Sequence, residues 1–363
     1  MSTATLTSRQ RVHRAMEHRD HDRVPRHDNY WPETIARWQG EGFDGDVYTV
    51  LDHLGSDLHR LPVPWVLPFP GQRRTLEEDQ NTCVVQNEWG QTERLWKHRS
   101  GTPEHLGFGC ESRQVWEDRY KPALLNQPHT IDDAELRRWY RAGRERGKWC
   151  FLSGIETFEA TRRLMGDEIT MIAFAEDPEW IVDVSRTYTD AVLRRLDAAM
   201  ATGIEPDGVW MYGDMAYNSG TFCSPRMYRE LVWPDHKRMA DWAHARGMKF
   251  IFHTDGDIRA VIDDYADAGF DMIQPLEAKA NVDIRELAPR YGERIGWFGN
   301  IDMTVAGTNN LEQLEHEVRT KLEAGKAVRG YAYHSDHSVP PTVCWATYQH
   351  LIELVDRHGN YET

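Results

Sequence analysis

No apolar run in this chain of 363 residues approaches the ~18 to 20 residues that a bilayer span needs, and the opening stretch MSTATLTSRQRVHRAMEHRDHD lacks the apolar core of a signal peptide. A soluble cytoplasmic protein is the expectation. Positive charge is short too. Lys plus Arg number 43 against 58 Asp plus Glu, a net charge of −15 that repels phosphate backbones and anionic lipid, so neither nucleic acid nor membrane is an expected partner. The five cysteines (Cys83, Cys110, Cys150, Cys223, Cys344) are odd in number, widely spaced and contain no CxxC, which argues against a disulfide framework or a thiolate zinc cage and for reduced, buried thiols. No GxSxG elbow, Walker loop or glycine-rich dinucleotide fingerprint is present, so nucleophilic serine chemistry and nucleotide binding have no local support.

What is present is globular: 40% hydrophobic, 11% aromatic and 28% charged residues. The length permits one large α/β barrel or two ordinary domains. The spacing predicts a helix over 7–18, leading into a strand. Residues 60–145 differ in texture: Pro62, Pro64, Pro68 and Pro70 break any helix, while NTCVVQNEWGQTERLWKH alternates like a hairpin, so this stretch reads as an insertion or lid. From about Lys148 onward, short apolar runs (WCFLSGI, DGVWMYGD, MKFIFHTDG, FDMIQPL, RIGWFGNID, RGYAYHSDH) alternate with amphipathic helical segments at 178–201, 225–246, 258–268, 311–324 and 342–357. Strand then helix, repeated, implies parallel βα units and a single (β/α)8 barrel domain, with a doubly wound sheet as the alternative.

Each predicted strand ends on polar residues or glycine, where such a barrel keeps its chemistry. In His253-Thr254-Asp255-Gly256-Asp257, alternation puts His253 and Asp255 on one face, where they could chelate a metal; a satisfied histidine and a helix-capping aspartate are the competing assignment. A second cluster, His334-Ser335-Asp336-His337, precedes a rigid Val339-Pro340-Pro341 turn, and one or two of its side chains could join that metal. Glu156, Asp214, Glu277, Asn300 and Asp302 end neighbouring strands as catalytic groups, substrate ligands or plain caps. Asp28, Asn29, Tyr30, Trp31 and Glu33 form an aromatic and polar group suited to a substrate pocket or to the core.

Together, SRQRVHRAMEHRDHDRVPR, CSPRMYRELVWPDHKRM, FIFHTDGDIRAVIDDYADAGFDMIQPLEAKANVDI, RIGWFGNID and HSDHSVPP resemble the uroporphyrinogen decarboxylase superfamily. That superfamily contains heme-pathway decarboxylases and methyltransferases that exchange methyl groups with corrinoid proteins. The resemblance implies a (β/α)8 barrel with the site at its C-terminal mouth. True decarboxylases carry an arginine-rich RQAGRY segment after the first strand; here the matching place reads PRHDNYWPE, so the resemblance points to the methyltransferase branch.

In the thiol-methylating corrinoid enzymes an HxCG motif and a later cysteine bind zinc. The positions that match here are His253, Asp255 and, by the following proline, Asp336, so the resemblance implies a divalent metal, zinc first, held by harder donors. With the aromatic N-terminal group, this implies a methyl ether, including aryl methyl ethers, as donor. The acceptor implied is a corrinoid carried by a partner protein, since no DxHxxG motif is present. Asp336, His337, Glu277 and Asp214 are the expected catalytic groups, and Asn29, Tyr30, Trp31, Glu156, Tyr217, Asn300 and His334 the expected substrate contacts. The family often dimerises, so a homodimer is compatible with this reading. The alternatives are a cofactor-free decarboxylase of a small organic acid, using Asp28 or Asp214 to manage protons, and a barrel that binds a ligand without turnover.

Overall fold

The computed structural model describes residues 6–98, 102–128 and 131–361. Seven parallel strands lie side by side: Leu58–Arg60, Trp149–Ile155, Gly208–Tyr212, Lys249–Thr254, Met272–Pro275, Gly296–Phe298 and Tyr331–Ala332. Residues 24–28 close the ring as an eighth, extended segment. The Tyr333 amide donates to Pro25 (2.7 Å), the His27 amide to Tyr333 (3.1 Å), and the Asp57 amide to Arg26 (2.8 Å), so this segment pairs with the last strand on one side and leads into the second on the other. The result is the expected (β/α)8 barrel. Its strands are near-continuous apolar runs because helices cover their outer faces; every residue of Trp149–Ile155 is buried.

Alternation sorts the side chains into layers. Leu58, Trp149, Phe151, Trp210, Ile251, Met272, Phe298 and Ala332 fill the barrel interior, and Val12, Ala15 and Met16 of the helix Ser8–Met16 pack into the same cluster from below. That helix, whose Thr7 cap and Gln10 form a reciprocal capping box, plugs the N-terminal end; burying each of Val12 and Met16 contributes about 1.5–3 kcal/mol. With the bottom sealed, the polar residues two positions further along each strand face the open end.

The helix at Pro178–Ala201 begins, as its sequence signals, on an Asp177 cap with Pro at the first position. The helix expected over 225–246 is instead two, Pro225–Leu231 and Trp233–His244. Pro234 lacks an amide hydrogen and its ring crowds the carbonyl four residues back, which breaks the helix at Val232. The 258–268 segment becomes helical only at Ile262, the last helix starts at Trp345, and the one from Leu311 runs on to Ala327.

Between the second and third barrel strands, the alternating sequence forms the hairpin Thr82–Gln86 and Thr92–Trp96, flanked by Arg74–Glu78 and Glu104–Gly107 in a four-stranded antiparallel sheet. It leans on the barrel helices. Trp89 meets Tyr188 with ring centroids 5.8 Å apart, and Phe108 sits over Gly166, where the helix Thr157–Glu176 kinks at φ 78°. A Cβ at Gly166 would lie 2.6 Å from the Phe108 ring, so only glycine serves both the kink and the contact. No helix among the described residues is long and apolar enough to cross a membrane.

Candidate active site at the barrel mouth

Above the Trp210 and Phe298 layer, the strands present Tyr212, His253, Gln274 and His334 to the mouth, with Asn29 contributed just after the closing segment. These groups are linked. The His253 ring donates through Nδ1 to Gln274 Oε1 (2.5 Å), which turns its Nε2 toward two carboxylates. The amide nitrogen of Gln274 faces the His334 ring at 3.4 Å; His334 in turn donates from Nδ1 to the Ser335 carbonyl (2.7 Å) and accepts at Nε2 from Asn29 Nδ2 (3.3 Å). Full burial holds the His334 imidazole neutral, its pKa pushed down to about 3.

His253 Nε2 lies 3.6 Å from Asp214 Oδ1 and 4.0 Å from Asp255 Oδ2. Burial works against a charged His253, but Asp255 and Asp214 outweigh it and raise its pKa. Burial also raises the Asp255 pKa, against the pull of His253. One ligand atom from each of Asp214, His253 and Asp255 falls within 4.8 Å of the others. Asp255 Oδ1 is buried without a hydrogen-bond partner. An orphaned carboxylate oxygen beside a histidine whose far nitrogen is already held suits a divalent cation, and one nitrogen with carboxylate oxygens is a donor set that zinc accepts.

Asp336 is not in this group, which corrects its expected place as third ligand. Its Oδ1 accepts from the Met303 amide (2.9 Å) and its Oδ2 from the Ala278 amide (3.1 Å), so both oxygens brace loops; burial pushes its pKa up to about 7. Asp214 stands in the group instead. His337 does approach, with Nε2 3.6 Å from Asp255 Oδ2, and it stacks on Trp31 at 5.9 Å between centroids. Glu277 accepts from the Gly256 amide (2.8 Å) and pairs with Lys279 (2.8 Å), so it holds the turn that carries Asp255. Gly256 has φ 86°, and a Cβ there would meet the Ala216 backbone at 2.4 Å.

Glu156, Asn300 and the Tyr30 hydroxyl, expected as substrate contacts, make hydrogen bonds within the fold, and other polar groups at the strand ends do the same. Glu156 is buried, caps its helix through the Phe158 and Glu159 amides, and receives His236 Nε2 at 2.6 Å. Asn300 is buried and clamps the Leu276 and Val282 carbonyls and the Ile284 amide. Tyr30 spends its hydroxyl on Tyr348 (2.6 Å). Asp302 caps the helix Met303–Gly307. Tyr217 is half exposed on a two-stranded ribbon, its ring against Phe222. Asp28 is buried and enclosed by hydroxyls of Tyr333, Tyr348 and Ser335, with burial raising its pKa to about 6.

Residues that no sequence motif marks complete the mouth. Gln274 lies on an inward alternation position next to a proline, a signal that was legible. Tyr212, whose ring is 5.0 Å from His253, was equally placed by its strand. Arg60, Trp65 and Ser153 come together where Arg60 Nε and Trp65 Nε1 both donate to Ser153 Oγ (3.0 and 3.3 Å); the proline-rich texture after residue 60 hid the short strand that aims Arg60. The inserted sheet roofs the site. A cavity of about 470 Å3 runs between it and the barrel, lined by Trp31, Glu93, His105, Phe108, Arg162 and Asp214.

Residues 158–358 match the family model described as uroporphyrinogen decarboxylase (URO-D). Among solved structures, the chain is similar to a methyltransferase from Methanosarcina mazei, with a TM-score of 0.65 and 14% identity over 97% of this chain and 99% of that one. It is more distantly similar to a GH113 beta-1,4-mannanase (TM-score 0.40, 11% identity, 93% and 98% coverage). A D-psicose 3-epimerase from Clostridium cellulolyticum H10 gives a TM-score of 0.36 at 12% identity, over 63% of this chain and 83% of that one. No curated protein matches the chain by sequence.

Proposed function

The chain belongs to the uroporphyrinogen decarboxylase family, and within that family of enzymes we propose that it is a methyltransferase taking a methyl group from the oxygen of a methyl ether, aryl methyl ethers included. The acceptor in this reading is the cobalt of a reduced corrinoid carried by a partner protein. The observation that carries it is the cluster of Asp214, His253 and Asp255, with one buried Asp255 oxygen lacking a partner. Ether oxygen is a poor leaving group, and oxygen and nitrogen donors suit a cation that acts on oxygen.

Asp214, His253 and Asp255 would hold a divalent cation, zinc by donor set, which supplies Lewis-acid polarisation of the ether oxygen. Gln274 fixes the His253 tautomer, so that Nε2 is the nitrogen offered to the cluster. When the C–O bond breaks, its electron pair stays with oxygen and the developing alkoxide or phenolate needs a proton. His337 is the best placed of the expected acids: its Nε2 is at the edge of the cluster, whereas Asp336 is tied to two amides and Glu277 to Lys279 and Gly256. Trp31, stacked on His337, and Tyr212, against His253, flank the space where an aromatic donor would lie.

The decarboxylase alternative loses one of its two proton managers, because Asp28 is closed off by its own hydrogen bonds. The test is methylation of cob(I)alamin, followed by its absorbance change, with aryl methyl ethers and purified protein whose metal content has been measured. Turnover and near-stoichiometric metal in the wild type, both lost in His253→Ala with the fold intact, are expected. Metal content and turnover unchanged in that variant would overturn the reading, and ligand binding without turnover would favour the binding-barrel alternative.

A further inference from the structure

Most arginines around the mouth are committed to carboxylates: Arg162 pairs with Glu159 and Asp167, and Arg163 with Glu159. Arg60 is different. Its strand, Leu58–Arg60, sends Leu58 into the barrel interior, so alternation directs Arg60 inward one layer higher, at the open end. There it is held in place without being neutralised. Nε donates to Ser153 Oγ (3.0 Å) and the guanidinium lies 5.4 Å from the Trp65 ring centroid, while among the described residues no carboxylate pairs with it and neither Nη nitrogen has a protein partner. A long, exposed side chain that has given up its rotamer freedom presents a free, planar two-donor edge to the mouth of a protein with net charge −15.

The surroundings give that edge a direction. Trp65 faces Tyr212 at 5.9 Å between centroids, and Tyr212 faces His253 at 5.0 Å. An aromatic arc therefore joins the unpaired cation to the histidine of the cluster. Arg60 and His253 stand three strand intervals apart. That is about 14 Å along the barrel wall at backbone level, and less between side chains that both reach inward. A single benzene ring with substituents at opposite ends spans such a gap.

We propose that Arg60 is the specificity residue of this mouth and that the substrate is an anion: a methoxylated aromatic acid whose carboxylate takes the free edge of Arg60 while its ether oxygen lies at the His253 end. This rests on the methyl-ether reading for the reacting end and on Arg60 alone for the acid. The pair would be bidentate, so charge without fork geometry would serve less well.

Isothermal titration with 4-methoxybenzoate and its neutral counterpart 4-methoxybenzamide tests this on the wild type, Arg60→Gln and Arg60→Lys, with thermal melts confirming the fold. The expected result is that the wild type prefers the acid by about tenfold or more, that Arg60→Gln abolishes the preference while changing amide binding little, and that Arg60→Lys restores part of it. Equal binding of acid and amide to the wild type, no binding of the acid, or a preference that survives in Arg60→Gln would overturn the inference; the last would place the carboxylate on the metal cluster. Because the titration needs no corrinoid, the two readings fail separately. Arg60-dependent acid binding without methylation of cob(I)alamin defeats the methyl-transfer reading alone. Methylation with equal kcat/KM from acid and amide defeats only the anion inference.

Discussion

Gln274 Oε1 lies 2.5 Å from His253 Nδ1, and this one contact decides which edge of the imidazole faces the acidic cluster. Replacing Gln274 with Leu keeps approximate volume but leaves His253 free to rotate or to change tautomer. Metal affinity is expected to fall about 10- to 100-fold, as it does when the outer partner of a ligating histidine is removed, with little change in melting temperature. Titration with a competing chelator reads this directly; an unchanged affinity would show that His253 does not depend on Gln274.

Asp214 and Asp336 should exchange the roles that sequence alone assigns. Asp214→Asn is expected to reduce bound metal by elemental analysis after a mild chelator wash. Asp336→Asn should leave it unchanged and instead cost about 1–3 kcal/mol, because an amide NH2 would face the Met303 or Ala278 amide that now donates to a carboxylate oxygen. Metal lost from the Asp336 variant and retained by the Asp214 variant would reverse the assignment.

Glu156 is a fold residue that resembles a site residue. Removing it in Glu156→Ala leaves His236 buried without its partner and uncaps the helix Thr157–Glu176, an expected loss of about 3–5 kcal/mol by denaturant unfolding. Ligand affinity per folded molecule should be unchanged. A specific affinity loss at unchanged stability would return Glu156 to the mouth.

His334 gives the fold a pH dependence with a definite sign. Its pKa is about 3 in the fold against an ordinary 6.5, so the unfolded chain binds the extra proton between those values and stability falls as pH drops below about 6.5. The buried carboxyls of Asp28 and Asp336, at about 6 and about 7, act in the opposite sense, losing stability as pH rises from about 4 toward those values. In His334→Gln the acid-side slope should be shallower than in the wild type by up to about 1.4 kcal/mol per pH unit. Parallel curves for the two proteins would show that His334 is not buried neutral.

Local patterns were legible wherever one face of an element had one neighbour to satisfy. The run WCFLSGI coincides with the strand Trp149–Ile155 because a strand buried on both faces must be apolar throughout. Ser224 and Asp177 cap the helices Pro225–Leu231 and Pro178–Ala201, each with proline at its first position, because cap and proline chemistry act within one turn. His253 and Asp255 were found together because a two-residue alternation places them on one face.

Contacts within a few residues therefore encode the succession of parallel βα units, the polar end of each strand, the inserted hairpin and the His253–Asp255 half of the cluster. Closure of the barrel settles that Asp214 and not Asp336 joins the cluster, that Glu156 and Asn300 brace neighbouring segments, and that Arg60 has no carboxylate partner among the described residues. Those outcomes depend on which strand ends meet around a closed barrel and on which backbone amides compete for each carboxylate. Both are set by strand order and by loop closure over many tens of residues, and no local spacing encodes them.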